Sequence, residues 1–109
     1  MKKENLLDGV PELLVLRLLA REEMHGYQLV AEIRRRTAGK LQFGEGCVYP
    51  LLHRLVAQRL LKERRTLVGG RERRCYRLSA AGQKRLAKLE ATWNHAVAAV
   101  QVCGKMCQA

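Results

Sequence analysis

The apolar residues fall into runs whose spacing changes along the chain. Leu13 to Ala20 is apolar on almost every side, interrupted only by Arg17, the pattern of a helix in the middle of a core. Pro11, after Asp8-Gly9-Val10, suits the first turn of that helix, and Arg21-Glu22-Glu23 closes it. Met24-His25-Gly26-Tyr27 reads as a turn into a second helix, with Leu29, Val30 and Ile33 inward and Glu32, Arg34, Arg35 and Arg36 in water. Gly39 is a C-terminal stop for it. Lys40-Leu41-Gln42-Phe43 alternates polar and apolar, which predicts a short strand. Gly44-Glu45-Gly46 opens a third helix that runs to about Arg59, with Val48, Leu51, Leu52 and Leu55 as its buried stripe. Its other face carries Gly46, Tyr49, Pro50, His53, Arg54 and Ala57. Pro50 is expected near the start, because deeper inside it would clash at ~3 kcal/mol.

Leu60 to Val68 and Arg71 to Leu78 are two runs joined by Gly69-Gly70, a β-hairpin signal. The second run is very basic for a strand, so one of its faces meets solvent or an anion. Ser79 is a good N-cap for a last helix. That helix carries an apolar seam of Leu86, Leu89, Trp93, Ala96, Val100, Cys103 and Cys107, spaced alternately by three and four. This is a heptad pattern, and a second copy of the same helix is the simplest partner for it. Folding back onto its own domain is the alternative. The order of elements predicts a mainly α (α+β) fold, a winged helix-turn-helix with a C-terminal dimerisation helix. Residues 1–79 would form the DNA-binding domain and 80–109 the dimerisation helix.

Charge adds a partner to this fold. Lys and Arg number 21 against 10 Asp and Glu, a net charge of +11. An excess of that size points to nucleic acid or an anionic surface. No apolar stretch approaches the ~20 residues that span a bilayer, and Leu6-Leu7-Asp8 breaks off any signal-peptide core, so a cytoplasmic location with no membrane partner is expected. Cys47, Cys75, Cys103 and Cys107 then default to reduced thiols. None forms a CxxC pair or has a histidine at zinc-site spacing, so neither a metal nor a cofactor is expected. Paired carboxylates, a Ser/His/Asp set and a phosphate-cradling glycine loop are all missing from the motifs, and an enzyme is the least favoured class.

Several segments together resemble the PadR-type transcriptional regulators. They are Leu13-Leu14-Val15-Leu16-Arg17-Leu18-Leu19, Met24-His25-Gly26-Tyr27-Gln28-Leu29, the stretch from Gly44 to Leu55, Tyr76-Arg77-Leu78-Ser79-Ala80-Ala81-Gly82, and Trp93. The likeness runs from about Leu6 to about Trp93, and the HGY and YPxLxRL segments in this order are its specific part. The short C-terminal helix looks like the smaller subgroup of that family. Two positions depart from the family pattern: Cys47 stands where relatives mostly carry a hydroxyl, and the Leu-Thr pair after the wing is here Leu78-Ser79. The resemblance implies a dimer that binds an inverted-repeat operator and represses a nearby gene. Some members of that family release DNA when a small planar aromatic effector enters the dimer interface beside a tryptophan, and Trp93 occupies the corresponding place on the seam, so such an effector is a candidate partner here.

The candidate DNA contacts follow from the exposed face of the third helix and the wing. They are Tyr27, Lys40, Gly46, Cys47, Tyr49, His53, Arg54, Arg71, Arg73 and Arg74. A tyrosine hydroxyl at position 49 or 27 can donate to a phosphate, or either ring can be part of the core. Arg54 can pair with a guanine edge, with a phosphate, or with a surface carboxylate. Arg71, Arg73 and Arg74 are the main electrostatic candidates, with Glu72 expected to face the other way; Lys2 and Lys3 extend the footprint. Trp93, Asn94, Ala96 and Val97 are the candidate effector-binding residues, and the seam residues named above the candidate dimer interface. Cys103 and Cys107 share one helix face and are either small apolar seam residues or a redox or metal sensor. Two other readings stay open: a non-specific architectural nucleic-acid binder, and a winged helix used as a protein-interaction module.

Overall fold

The computed structural model describes residues 9–107, so Lys2, Lys3 and Leu6 lie outside the described residues. The chain order is α1 (Val10–Leu19), β1 (Met24–His25), α2 (Gly26–Arg36), α3 (Glu45–Ala57), β2 (Leu61–Val68), β3 (Arg71–Leu78) and α4 (Ala80–Cys107). This is a winged helix-turn-helix followed by one long helix.

Helix α1 is central, as its all-round apolarity predicts: Val15 and Leu16 are wholly buried, and Leu13, Leu18 and Leu19 nearly so. Pro11 sits in its first turn. The inward stripes of α2 (Leu29, Ile33) and α3 (Val48, Leu51, Leu52, Leu55) close on it, with Met24, Leu61, Tyr76 and Leu86 completing the core. Pro50 lies further into α3 than its sequence position implies, inside the helix rather than in the first turn. The helix therefore forgoes the bond that residue 50 would donate to the Gly46 carbonyl, on a face open to solvent.

Two short elements differ from the sequence reading. Met24-His25 is a strand, pairing antiparallel with Tyr76 and Cys75. It gives a three-stranded sheet of order β1-β3-β2 and fixes the wing to the start of α2. Lys40–Phe43, by contrast, is not a strand. There the alternation has another cause: Leu41 and Phe43 pack against the core. The Thr37 hydroxyl organises the loop, donating to the Ile33 carbonyl at 2.7 Å and accepting from the Leu41 amide at 3.1 Å.

The wing is β2 and β3, registered from Leu61↔Leu78 to Val68↔Arg71. Gly69 and Gly70 both have positive φ, +57° and +79°, as the tight two-residue hairpin turn requires. Ser79 caps α4 as expected. Its hydroxyl accepts from the Gly82 amide at 3.0 Å and donates toward the carbonyls of Arg59 and Leu60, binding the helix start to the end of α3.

The first half of α4 lies on its own chain. Leu86 is 8% exposed, and Leu89 and Trp93 pack against the same core. Arg17 on α1 meets Glu90 on α4 at 3.0 Å. The seam thus divides: up to Trp93 it faces α1, whereas Val100, Cys103 and Cys107 are exposed.

Candidate nucleic-acid interface

Three elements converge on one basic cleft of about 280 Å³. His25, Gly26 and Tyr27 come from the start of α2, Tyr49 and His53 from α3, and Arg73, Arg74 and Tyr76 from β3. The strand pair β1–β3 is what brings the wing arginines beside the helix start.

The start of α2 is held by a reciprocal cap. The His25 Nδ1 accepts from the Gln28 amide at 3.3 Å, and the Gln28 side-chain oxygen accepts from the His25 amide at 3.0 Å. This needs a free lone pair on Nδ1, and the surroundings supply it: partial burial and the neighbouring Arg73 charge push the His25 pKa below its ordinary value. Tyr27 stacks on the His25 ring, with centroids 6.3 Å apart, and is 60% exposed.

Tyr49 is half-buried and lies directly over Gly26. A Cβ at position 26 would sit 2.4 Å from its ring, so the absence of a side chain there lets α3 approach the start of α2. Tyr76 is buried at the floor of the cleft, and burial raises its phenol pKa, reinforced by the Glu63 carboxylate. Arg73 is the unusual member, for its Nε is buried and has no hydrogen-bond partner among the described residues. A buried guanidinium nitrogen without an acceptor is costly. Among the described residues no carboxylate lines the cleft.

The structure therefore gathers Tyr27, Tyr49, His53, Arg73 and Arg74 of the expected DNA contacts into one place. It adds His25 and Tyr76, which sequence reasoning did not assign; His25 was visible in the HGY segment, but only as part of a turn. Cys47 and Arg54 belong to a second cleft of about 320 Å³ on the other flank of α3, with Pro11, Glu12, Pro50 and Leu51. Gly46 and Lys40 are exposed apart from either cleft, and Arg71 is exposed at the wing tip. Glu72 does not oppose all three wing arginines. Strand alternation turns Arg71 and Arg73 away from it but puts Arg74 on its own face, where Glu72 pairs with Arg65 at 3.4 Å.

Near Trp93 there is a cavity of only about 50 Å³, lined by Gly9, Leu13, Leu89, Thr92 and Trp93. That is far below the ~300–1,000 Å³ of small-molecule pockets. Asn94 is exposed, Ala96 and Val97 are half-buried, and none of the three lines this cavity. Among the described residues no group of three or more His, Cys, Asp or Glu could hold a metal, and no helix is long and apolar enough to cross a membrane.

Comparison with known proteins shows the family and the fold. A transcriptional regulator of Mycobacterium tuberculosis is 38% identical over 74 residues, covering 68% of this chain and 66% of that protein. A PadR-like transcriptional regulator from Bacillus cereus superposes with a TM-score of 0.77 at 25% identity, covering 92% of this chain and 96% of that one. PadR of Bacillus subtilis, solved in complex with operator DNA, shares the fold with a TM-score of 0.67 at 24% identity, over 72% of this chain and 45% of that one. The sequence pattern of the PadR-like transcriptional regulators matches residues 15–88, and the chain belongs to that family of regulators, which are not enzymes.

Proposed function

We propose that the protein is a repressor that binds an inverted-repeat operator in double-stranded DNA as a homodimer in the cytoplasm. In this reading residues 1–79 carry the DNA contacts and α4, from residue 80, carries dimerisation. The exposed face of α3, with Gly46, Cys47, His53 and Arg54, enters the major groove, and the wing follows the backbone. A phosphate sits in the basic cleft against Arg73, Arg74 and the Tyr49 and Tyr27 hydroxyls. The single observation that carries this reading is the convergence of Arg73, Arg74, Tyr27, Tyr49 and His53 on one cleft that, among the described residues, no carboxylate lines.

Dimerisation is supported by the second half of α4, where Val100, Val102 and Met106 are 69%, 61% and 75% exposed. Val100 lies on the seam and Val102 and Met106 on another stripe of the same helix, so the exposed half is apolar on more than one side, which favours a partner. With Leu86 covered by its own chain, the interface is expected from Ala96 onward together with the outer edges of Leu89 and Trp93. A planar aromatic effector needs more room than the cavity beside Trp93 offers, so its pocket would be completed by the partner copy. The match over nearly the full length of the Bacillus cereus regulator supports placing the chain in the smaller, single C-terminal helix subgroup.

The test is fluorescence anisotropy with Arg73→Ala combined with Arg74→Ala. The reading expects weaker binding to every duplex and a shallower salt dependence, by about one unit of slope for each phosphate that is no longer neutralised. Unchanged affinity and slope would remove the cleft from the interface. Sedimentation of the intact protein at micromolar concentration tests the dimer directly.

A further inference from the structure

On the opposite flank of α3 from the basic cleft, a buried carboxylate lies between two guanidiniums from different helices. Glu12, in the first turn of α1, is 5% exposed. Its Oε2 accepts from Arg85 of α4 at 3.2 Å. Its Oε1 has no hydrogen-bond partner among the described residues, and Arg54 of α3 stands 4.0 Å from it. The Arg54 side chain is 52% exposed, so it is only loosely held. Three helices thus meet at one carboxylate: the one that reads DNA in the reading above, the central one, and the one that carries dimerisation.

A buried carboxylate oxygen without a donor favours any cation within reach, and Arg54 is in reach. Arg54 is also exposed on the groove-facing side of α3. The two demands compete for the same guanidinium, and the strength of the Glu12 demand depends on how firmly Arg85 holds the other oxygen. We infer that Glu12 is a positioning residue that sets the availability of Arg54 to DNA, and that Arg85 couples this to the seating of α4 on α1. The coupling is local, through one shared carboxylate, and needs no rearrangement of the core. It rests on the proposal that α3 is the DNA-reading helix and adds the regulation of that helix by α4.

The two perturbations act in opposite directions. Glu12→Gln keeps the shape but removes the charge that draws Arg54 inward. Arg85→Ala leaves Arg54 as the remaining cation beside the buried carboxylate and draws it in. Both also alter the net charge, which shifts DNA binding by itself; Lys84→Ala, removing an exposed charge next to Arg85 in sequence, measures that background effect.

The experiment measures affinity for the duplex that the protein selects from a random-sequence pool and for a scrambled duplex of equal length. Glu12→Gln, Arg85→Ala and Lys84→Ala are each made in the native protein and in an Arg54→Ala background. Circular dichroism melts verify folding. Residues sharing one network couple measurably. Glu12→Gln is therefore expected to raise affinity for scrambled DNA about threefold or more and to lower the selected-to-scrambled ratio. Arg85→Ala is expected to lower affinity for the selected duplex by more than Lys84→Ala does. In the Arg54→Ala background the Arg85→Ala shift is expected to shrink to that of Lys84→Ala, and the Glu12→Gln shift to one of the same size and opposite sign, as its charge change requires. Shifts that persist there, or folded variants whose shifts in the native protein equal in size the charge effect measured by Lys84→Ala (with its sign reversed for Glu12→Gln), would overturn the inference. If Glu12→Gln does not fold, the Arg85→Ala cycle decides by the same criterion. A native protein that shows no preference for any selected duplex refutes the underlying reading, whereas a clear preference without this coupling refutes the role of Glu12 alone.

Discussion

Replacing Gly26 with alanine tests the link between backbone packing and the candidate site. The added methyl would lie 2.4 Å from Cε1 and 3.0 Å from Cζ of Tyr49, inside any tolerable contact. The ring is packed against the core, so it cannot swing freely; either it tilts into the basic cleft or α3 withdraws from the start of α2. Overpacking of this kind costs about 1–3 kcal/mol. Alanine regains at most about 1 kcal/mol of helix propensity, and less at the first helical position. The net expectation is destabilisation by about 1–2 kcal/mol, a fall in Tm of roughly 5–15 °C for a domain of this size. Thermal and guanidinium unfolding read the stability, and anisotropy on a selected duplex reads the site. Because the displaced ring lines the cleft, affinity for the selected duplex should fall in folded protein as well. Tyr49→Ser removes the obstructing ring, so Gly26→Ala should cost little in that background. A Gly26→Ala protein with native Tm and affinity, or strict additivity with Tyr49→Ser, would refute the argument.

Other consequences concern the caps and charges. Ser79→Ala removes the α4 cap and leaves the Gly82 amide without its acceptor, so denaturant unfolding should show a loss of about 1–2 kcal/mol with an unchanged m-value. The depressed pKa of His25 means that the unfolded chain binds its proton more tightly than the folded one. The contribution of His25 to stability is therefore fully present above its unfolded pKa of about 6.5 and is lost as pH falls from there through the lower folded value. His25→Asn keeps an N-cap acceptor and should flatten the urea midpoint between pH 7.5 and 5.5, where the native protein declines; equal slopes in both proteins would contradict this. The same variant should leave affinity for scrambled DNA nearly unchanged at pH 7.5, because the imidazole is neutral there.

Much of the fold was legible because each long element carries its own periodicity. The stripe Val48-Leu51-Leu52-Leu55 and the Gly69-Gly70 turn demand one local structure and received it. The sequence was ambiguous where one pattern serves two causes. Polar–apolar alternation at Lys40–Phe43 arises from a loop that tucks Leu41 and Phe43 inward around Thr37, while Met24-His25 is too short to alternate at all. The seam of α4 is periodic throughout because packing on α1 and packing on a second copy impose the same spacing; only burial separates Leu86 from Val100. The candidate interface was half visible in the same sense. Charge marked Arg73 and Arg74, but their nearness to His25 comes from the β1–β3 pairing. Glu12 looked like one more acidic residue in the first turn of a helix, because its two arginines lie 42 and 73 positions away in the chain.

The central claim, that the protein recognises a specific DNA sequence through α3 and the wing, is tested most directly by one comparison. The intact protein is titrated, at about 150 mM salt, with the duplex it selects from a random-sequence pool and with a scrambled duplex of equal length. The account predicts a preference of ~10³ or more for the selected duplex, symmetric about a dyad, with affinity falling steeply as salt rises. Equal, weak binding to both duplexes, or selection that converges on no sequence, would contradict it.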